Sequence, residues 1–130
     1  MRESLDHSHK IAEIDLASYD VVFVAGGHAA NVDLPFYGPL ADGMSRAFAA
    51  NKVIGGVCHG PAALASVKAP DGAPLVRGKR VTGFTDAEEE TNQTPRDALP
   101  FFLEDRLKVR CAALVIATSC CMHVACLLIS

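Results

Sequence analysis

The sequence predicts an α/β fold with a mostly parallel sheet, because short apolar runs alternate with helix-forming segments along residues 10–110. Two runs carry this prediction: residues 21–24 are uninterrupted Val and Phe, and residues 52–57 lead into a Cys-His-Gly turn. Continuous apolar runs of this length are typical of strands buried on both faces of a parallel sheet. We therefore expect both strands near the centre of one sheet.

Helices are expected between and after these strands. Leu103 and Leu107 stand on one face of an amphipathic segment, and Leu40 and Met44 repeat at helical spacing in an earlier one. Residues 68–74 are rich in turn formers and separate two elements. The remaining predicted elements are helices over residues 40–50, 61–67 and 97–108 and a short strand over residues 80–84.

Composition restricts the class of protein. The chain has 130 residues, which is enough for one domain, and a net charge of −3 with scattered Lys and Arg. A nucleic-acid partner is therefore not expected. The first ten residues are polar and do not resemble a signal peptide. A body with a lone cysteine, Cys58, favours a reducing, cytoplasmic location.

Residues 111–130 differ from the body, since they are mainly apolar and carry no charged residue. We treat them as a tail separate from the domain at 10–110 and expect them not to complete the sheet. Three origins remain open: a membrane span, a buried element of the domain, or sequence unrelated to the rest. No membrane partner is expected unless this tail inserts. A metal site is not expected, because the tail's Cys120, Cys121, His123 and Cys126 match no recognised zinc spacing.

The turn around Cys58 is the strongest functional signal. A predicted strand runs into Gly56-Val57-Cys58-His59-Gly60, and a helix is predicted to start at Pro61. This is the pattern of a nucleophile elbow, in which a sharp turn lifts a reactive side chain off the end of a strand. A helix N-terminus below the sulfur favours the thiolate. The alternative is a buried structural cysteine.

Two neighbouring segments are predicted to complete the site. Gly26, Gly27 and His28 follow the first strand, so in a parallel sheet they lie at the same edge as the elbow. Their backbone amides, with that of His59, are candidates for binding an oxyanion. The alternative is a plain glycine-rich turn.

His59 directly follows the nucleophile and is a candidate general acid or base. Asp86, after the strand at 80–84, is the candidate to orient its imidazole. The three glutamates at positions 88–90 are interpreted as the solvated first turn of a helix.

These motifs in combination resemble the ThiJ/PfpI superfamily, and more narrowly its glutathione-independent glyoxalase and heat-shock chaperone branch. The resemblance covers residues 10–108. Its motifs are Gly26-Gly27-His28, then Val57-Cys58-His59-Gly60-Pro61-Ala62, then Gly78-Lys79-Arg80-Val81-Thr82-Gly83-Phe84-Thr85-Asp86.

The resemblance implies a flavodoxin-like three-layer sandwich of the class I glutamine amidotransferase-like type. It also implies conversion of a small 2-oxoaldehyde, methylglyoxal, to D-lactate with no cofactor. Cys58 matches the family's nucleophile, His59 its acid/base partner, and Asp86 a position that some members use as the third catalytic residue.

The chain departs from the family pattern at both ends. The family carries a first strand-helix unit with a Glu that contacts the reactive cysteine, and further strands after the helix that ends near Leu107. We therefore expect an incomplete sheet, a chain truncated at both ends and weak or absent methylglyoxal turnover. Substitution of Asp86 or Glu89 for the missing carboxylate is the reason to expect weak turnover and not none.

Three other functions remain open. A glutamine amidotransferase needs a distant downstream His, and the sequence offers only His123. A stress chaperone or a redox sensor would use Cys58 as an oxidisable thiol, and a homodimer formed through exposed apolar surface would favour this role. The chain is also compatible with an inactive fragment of the enzyme.

Overall fold

The computed structural model describes residues 6–110, 113–114 and 124–128. The α-helices are α1 (Gly38–Ala49), α2 (Asp86–Thr91) and α3 (Leu103–Arg110), and the strands are β1 (Val21–Val24), β2 (Val53–Val57), β3 (Arg80–Val81), β4 (Ala113–Leu114) and β5 (Val124–Leu128). Short 3-10 helices cover Ile11–Glu13, Leu16–Ser18, His28–Asn31, Leu34–Phe36 and Gly60–Ala65.

The sheet that positions the site has the strand order β1-β2-β5. β1 and β2 run parallel, with Val21 opposite Val53 and Val24 opposite Gly56. β3 and β4 form a second, parallel pair. Two of these three pairings are parallel and helices alternate with the strands, so the predicted α/β class with a mostly parallel sheet is confirmed.

The tail contributes to both sheets, so the prediction that residues 111–130 stay out of the sheet is wrong. β5 pairs antiparallel with β2, and its register is interrupted between Gly56 and Val57. The physical reason is that β2 has two edges, and β1 covers only one of them. An uncharged apolar segment is suited to the second edge of a buried strand. Within the described ranges, no helix is long and apolar enough to cross a membrane.

β1 is not buried on both faces, contrary to the sequence prediction. The side chains of Val21 and Phe23 are 55% and 54% exposed. Val22 and Val24, which alternate with them, pack against the core. One face of β1 therefore packs against the core, and the other is exposed in the described part of the chain.

Helix α1 agrees with its prediction and supplies much of the core. Leu40, Met44 and Ala47 are buried on one face, as their three- and four-residue spacing predicts. Pro39 stands in the first turn, where its missing N–H is not needed. The core continues into Leu103 and Leu107 of α3.

Helix α3 begins at Leu103, later than the predicted start at residue 97. Pro100 explains the difference, because a proline disfavours helical backbone in the residue before it. The preceding segment forms a turn instead, in which Ala98 N–H donates to the carbonyl of Pro95 over 3.0 Å.

Two elements around the elbow are shorter or tighter than predicted. The strand expected over residues 80–84 is only Arg80–Val81, because the N–H of Phe84 donates to the carbonyl of Cys58 over 3.0 Å and not to a neighbouring strand. The helix expected from Pro61 is a 3-10 helix over Gly60–Ala65. All six of its residues are buried, and its small side chains allow this close packing.

Candidate active site

Cys58 occupies a left-handed backbone conformation directly after β2. Its φ of 57° is uncommon for a residue with a side chain and marks a sharp, strained turn. The residue is partly buried, and it is a free cysteine. The sharp turn predicted at Cys58 is therefore present, at the carboxyl end of β2. The role of Cys58 as a nucleophile stays a prediction.

The elbow depends on two glycines that bring the backbone of β1 against it. A Cβ on Gly60 would collide with the carbonyl oxygen of Val24. A Cβ on Gly26 would lie 2.6 Å from both the Cβ of Cys58 and the carbonyl oxygen of Val57. Side chains at these positions would push β1 and the elbow apart.

The side chain of His59 lies close enough to the Cys58 thiol to exchange a proton with it. Its Nδ1 lies 3.2 Å from Sγ of Cys58. This separation is within the range of a hydrogen bond to sulfur. The left-handed turn at Cys58 thus brings two consecutive side chains together, which an extended strand would direct to opposite faces.

The other nitrogen of His59 contacts a glutamate. Nε2 lies 2.6 Å from Oε1 of Glu89, and the side chains are 0% and 1% exposed. Burial lowers the pKa of His59 below its ordinary value, against the opposing effect of Glu89. Burial alone would raise the pKa of Glu89, but hydrogen bonds from His59, Thr94 and His28 outweigh it and lower that pKa.

The lowered pKa values of His59 and Glu89 indicate which tautomer of His59 is present. Glu89 is ionised, so Nε2 of the neutral imidazole carries the proton and donates to the carboxylate. Nδ1 is then unprotonated and faces the sulfur of Cys58. This tautomer can take the thiol proton, and Glu89 stabilises the imidazolium that results.

The sequence predicts that Asp86 orients His59, but among the described residues the carboxylate in contact with the imidazole is that of Glu89. Oδ2 of Asp86 lies 3.7 Å from Arg96, and its backbone N–H donates to Glu104 over 2.7 Å. Burial, followed by repulsion from Asp105 and Glu104, raises the pKa of Asp86. The carboxylate that orients His59 is three residues further along α2.

One sequence pattern distinguishes Glu89 from the adjacent glutamates, Glu88 and Glu90. Thr85 and Glu88 form a capping box: the Glu88 side chain accepts the N–H of Thr85 over 2.8 Å, and the Thr85 hydroxyl accepts the N–H of Glu88 over 3.2 Å. The Thr-x-x-Glu spacing predicts this pairing and commits Glu88 to the helix start. Glu90 is exposed, whereas Glu89 is buried.

The Gly26-Gly27-His28 loop lies beside the elbow, where the sequence placed it. The ideal Cβ position of Gly26 is 3.1 Å from the backbone nitrogen of His59. Gly27 has a φ of 109°, and a Cβ added there would have no neighbour within 4 Å. Within the described part of the chain, the amides of Gly27 and His59 donate no backbone hydrogen bond, which leaves both as candidate oxyanion donors.

His28 joins the site through its side chain. Its Nε2 lies 3.3 Å from Oε2 of Glu89, and its ring centroid is 4.4 Å from that of His59. The ring of Phe84 stacks on that of His59, with centroids 4.5 Å apart. The imidazole of His59 therefore contacts two rings while its nitrogens contact Cys58 and Glu89.

His28, His59 and Glu89 also have the residue types of a metal site, with ligand atoms within 4.8 Å of one another. Two ligand atoms bound to one zinc at about 2.1 Å on tetrahedral positions lie roughly 3.4 Å apart. The 2.6 Å between Nε2 of His59 and Oε1 of Glu89 is a hydrogen-bond distance, so the cluster fits proton sharing. The predicted tail residues Cys120, Cys121 and His123 lie outside the described residues.

Comparisons with known proteins found a matching family model and named relatives. The model of the DJ-1/PfpI family matches residues 3–120. A protein named probable glutathione-independent glyoxalase, from Schizosaccharomyces pombe, is 33% identical over 94 residues, which are 72% of this chain and 42% of the relative. The chain therefore spans about two fifths of that relative's length.

Solved structures show the same fold. A Francisella tularensis rapid encystment protein superposes with a TM-score of 0.82 at 34% identity, covering 90% of this chain and 52% of that one. Glyoxalase III from Candida albicans superposes with a TM-score of 0.74 at 28% identity, covering 85% and 48%. The predicted flavodoxin-like α/β architecture is confirmed.

Proposed function

Because the chain belongs to the DJ-1/PfpI family, we propose that its Cys58 site converts 2-oxoaldehydes such as methylglyoxal to 2-hydroxy acids such as D-lactate without glutathione. The observation that carries the proposal is the chain of contacts from Cys58 through His59 to Glu89, at 3.2 and 2.6 Å. The names of the relatives, probable glutathione-independent glyoxalase and glyoxalase III, support the same chemistry.

The first step is addition of the Cys58 sulfur to the aldehyde carbon. The thiol proton passes to Nδ1 of His59, and the sulfur forms a hemithioacetal with the aldehyde. Cysteine suits this step because it is strongly nucleophilic and its addition to an aldehyde is reversible. The amides of Gly27 and His59 are placed to stabilise the oxyanion that forms.

The later steps move protons and add water. Loss of the C1 proton gives an enediol, and protonation at C2 gives a thioester of the 2-hydroxy acid, so C1 is oxidised as C2 is reduced. Water then hydrolyses the thioester, releasing the acid and restoring the thiol. His59 carries the protons in these steps. The sequence balances without an external oxidant or reductant.

The experiment is D-lactate formation from methylglyoxal by the purified chain, with and without added glutathione, beside its Cys58→Ala variant. We expect D-lactate to form at the same rate in both conditions, and the variant to produce none. Equal product from the variant would contradict the proposal.

We propose a reducing compartment, the cytoplasm, for this chemistry, since it requires Cys58 to remain a free thiol. A second candidate function, a stress chaperone that works as a homodimer, is favoured by the exposed Val21 and Phe23 of β1. Its test is suppression of client-protein aggregation by the wild type and by Phe23→Ser. Equal suppression would exclude β1 as the binding face.

A further inference from the structure

Glu89 is a buried carboxylate whose two oxygens contact different histidines. Oε1 accepts from Nε2 of His59 at 2.6 Å, and Oε2 contacts Nε2 of His28 at 3.3 Å. The side chain of Thr94 is a further donor to this carboxylate. The Glu89 side chain is 1% exposed, so bulk water does not solvate it. A buried ionised carboxylate is stable only when donors satisfy both oxygens.

The state of Glu89 decides which nitrogen of His59 carries a proton. An ionised Glu89 accepts, so Nε2 of His59 is protonated and Nδ1 is free to receive the Cys58 proton. A protonated Glu89 would donate to Nε2, which would move the imidazole proton to Nδ1. His59 would then present an N–H to Sγ of Cys58 and could not act as its base.

We propose that His28 is a positioning residue for the Cys58 site, which keeps Glu89 ionised by donating to Oε2 and thereby fixes the reactive tautomer of His59. The inference rests on the proposed function and extends it to a residue that does not itself contact the thiol. The ring of His28 also contacts that of His59, with centroids 4.4 Å apart.

Two substitutions separate the two contributions of His28. His28→Gln retains a donor for Oε2 of Glu89 and removes the ring. His28→Phe retains a ring against His59 and removes the donor. The side chain of His28 is 50% exposed, so both replacements fit at the protein surface. His9→Phe, at an exposed position in the N-terminal segment, is the matched control.

The readout is the tautomer of His59 at neutral pH, measured from the ¹⁵N chemical shifts of its ring in histidine-labelled protein. This measurement needs no catalytic turnover. An unexpected tautomer is therefore distinguishable from an absence of D-lactate formation, which would contradict the proposed function. We expect the wild type, His28→Gln and His9→Phe to carry the proton on Nε2, and His28→Phe to carry it on Nδ1. Alkylation of Cys58 by iodoacetamide should slow on the order of 10²-fold in His28→Phe alone.

Retention of the Nε2 proton in His28→Phe would overturn the inference, because Glu89 would then stay ionised without the donor. A switch of the His59 proton to Nδ1 in His28→Gln as well would also overturn the inference. The tautomer would then depend on the ring contact between His28 and His59 and not on the donor to Glu89.

Discussion

His59 and Glu89 are separated by 30 positions, yet Nε2 of the imidazole and an oxygen of the carboxylate lie 2.6 Å apart. Both side chains are fully enclosed. Because the imidazole also contacts Sγ of Cys58, the protonation of the carboxylate and the state of the thiol are linked. This linkage leads to predictions for the carboxylates, the glycines and the pH dependence of the fold.

Asp86→Asn should leave D-lactate formation unchanged and should not lower the free energy of unfolding at neutral pH. The pKa of Asp86 is raised, first by burial and then by Asp105 and Glu104, so its charge costs stability above the unfolded-state value of 3.8. The 3.7 Å contact with Arg96, whose side chain is 60% exposed, contributes little. Urea unfolding and the D-lactate assay measure both effects. A large loss of D-lactate formation would show that Asp86 acts in the site.

Gly60→Ala should lower the free energy of unfolding by about 1–3 kcal/mol, since its Cβ would meet the carbonyl of Val24. Gly38→Ala is the matched control, because the space around Gly38 is open. Urea midpoints of the two variants give the comparison. Equal stability would mean that the elbow and β1 are not in close contact.

The free energy of unfolding should fall as pH is lowered. His59 has a pKa below its unfolded value of 6.5, so below that value the unfolded chain binds a proton that the folded chain rejects. Glu89 has a pKa below 4.5, so its stabilising effect is present above 4.5 and is lost as pH falls through the lower folded value. Both effects lower the free energy of unfolding as pH falls.

The corresponding measurement is the urea midpoint between about pH 8 and pH 4. His59→Gln should flatten the decline that begins near 6.5, and His9→Gln, at an exposed position, should not. A wild-type midpoint that rises on acidification would contradict the assignment of a buried, neutral imidazole.

The sequence predicted the local part of the site, and the reason is physical. The elbow at Cys58 is encoded by its own neighbours, because Gly56, Gly60 and Pro61 favour one tight turn at the end of a strand. The parallel order of β1 and β2 then places Gly26 and Gly27 beside it. These features depend on a few adjacent residues.

The partner of His59 was mispredicted because it depends on how α2 packs against the elbow. The N–H of Phe84 bonds to the carbonyl of Cys58, which fixes where α2 starts and directs Glu89 inward. Asp86 and Glu89 are both acidic residues of the same helix, so their types do not distinguish them. β5 was also missed, because its pairing with β2 joins segments far apart in the chain.

Alkylation of Cys58 by iodoacetamide at neutral pH in Glu89→Gln, mapped by mass spectrometry, tests most directly whether Glu89 controls the thiol through His59. Gln fills the same volume and cannot carry the charge that stabilises the imidazolium. Glu90→Gln makes the same change at the adjacent, exposed position. We expect the Glu89 variant to react on the order of 10²-fold more slowly than the wild type, and the Glu90 variant to react at the wild-type rate. A wild-type rate in Glu89→Gln would contradict the account.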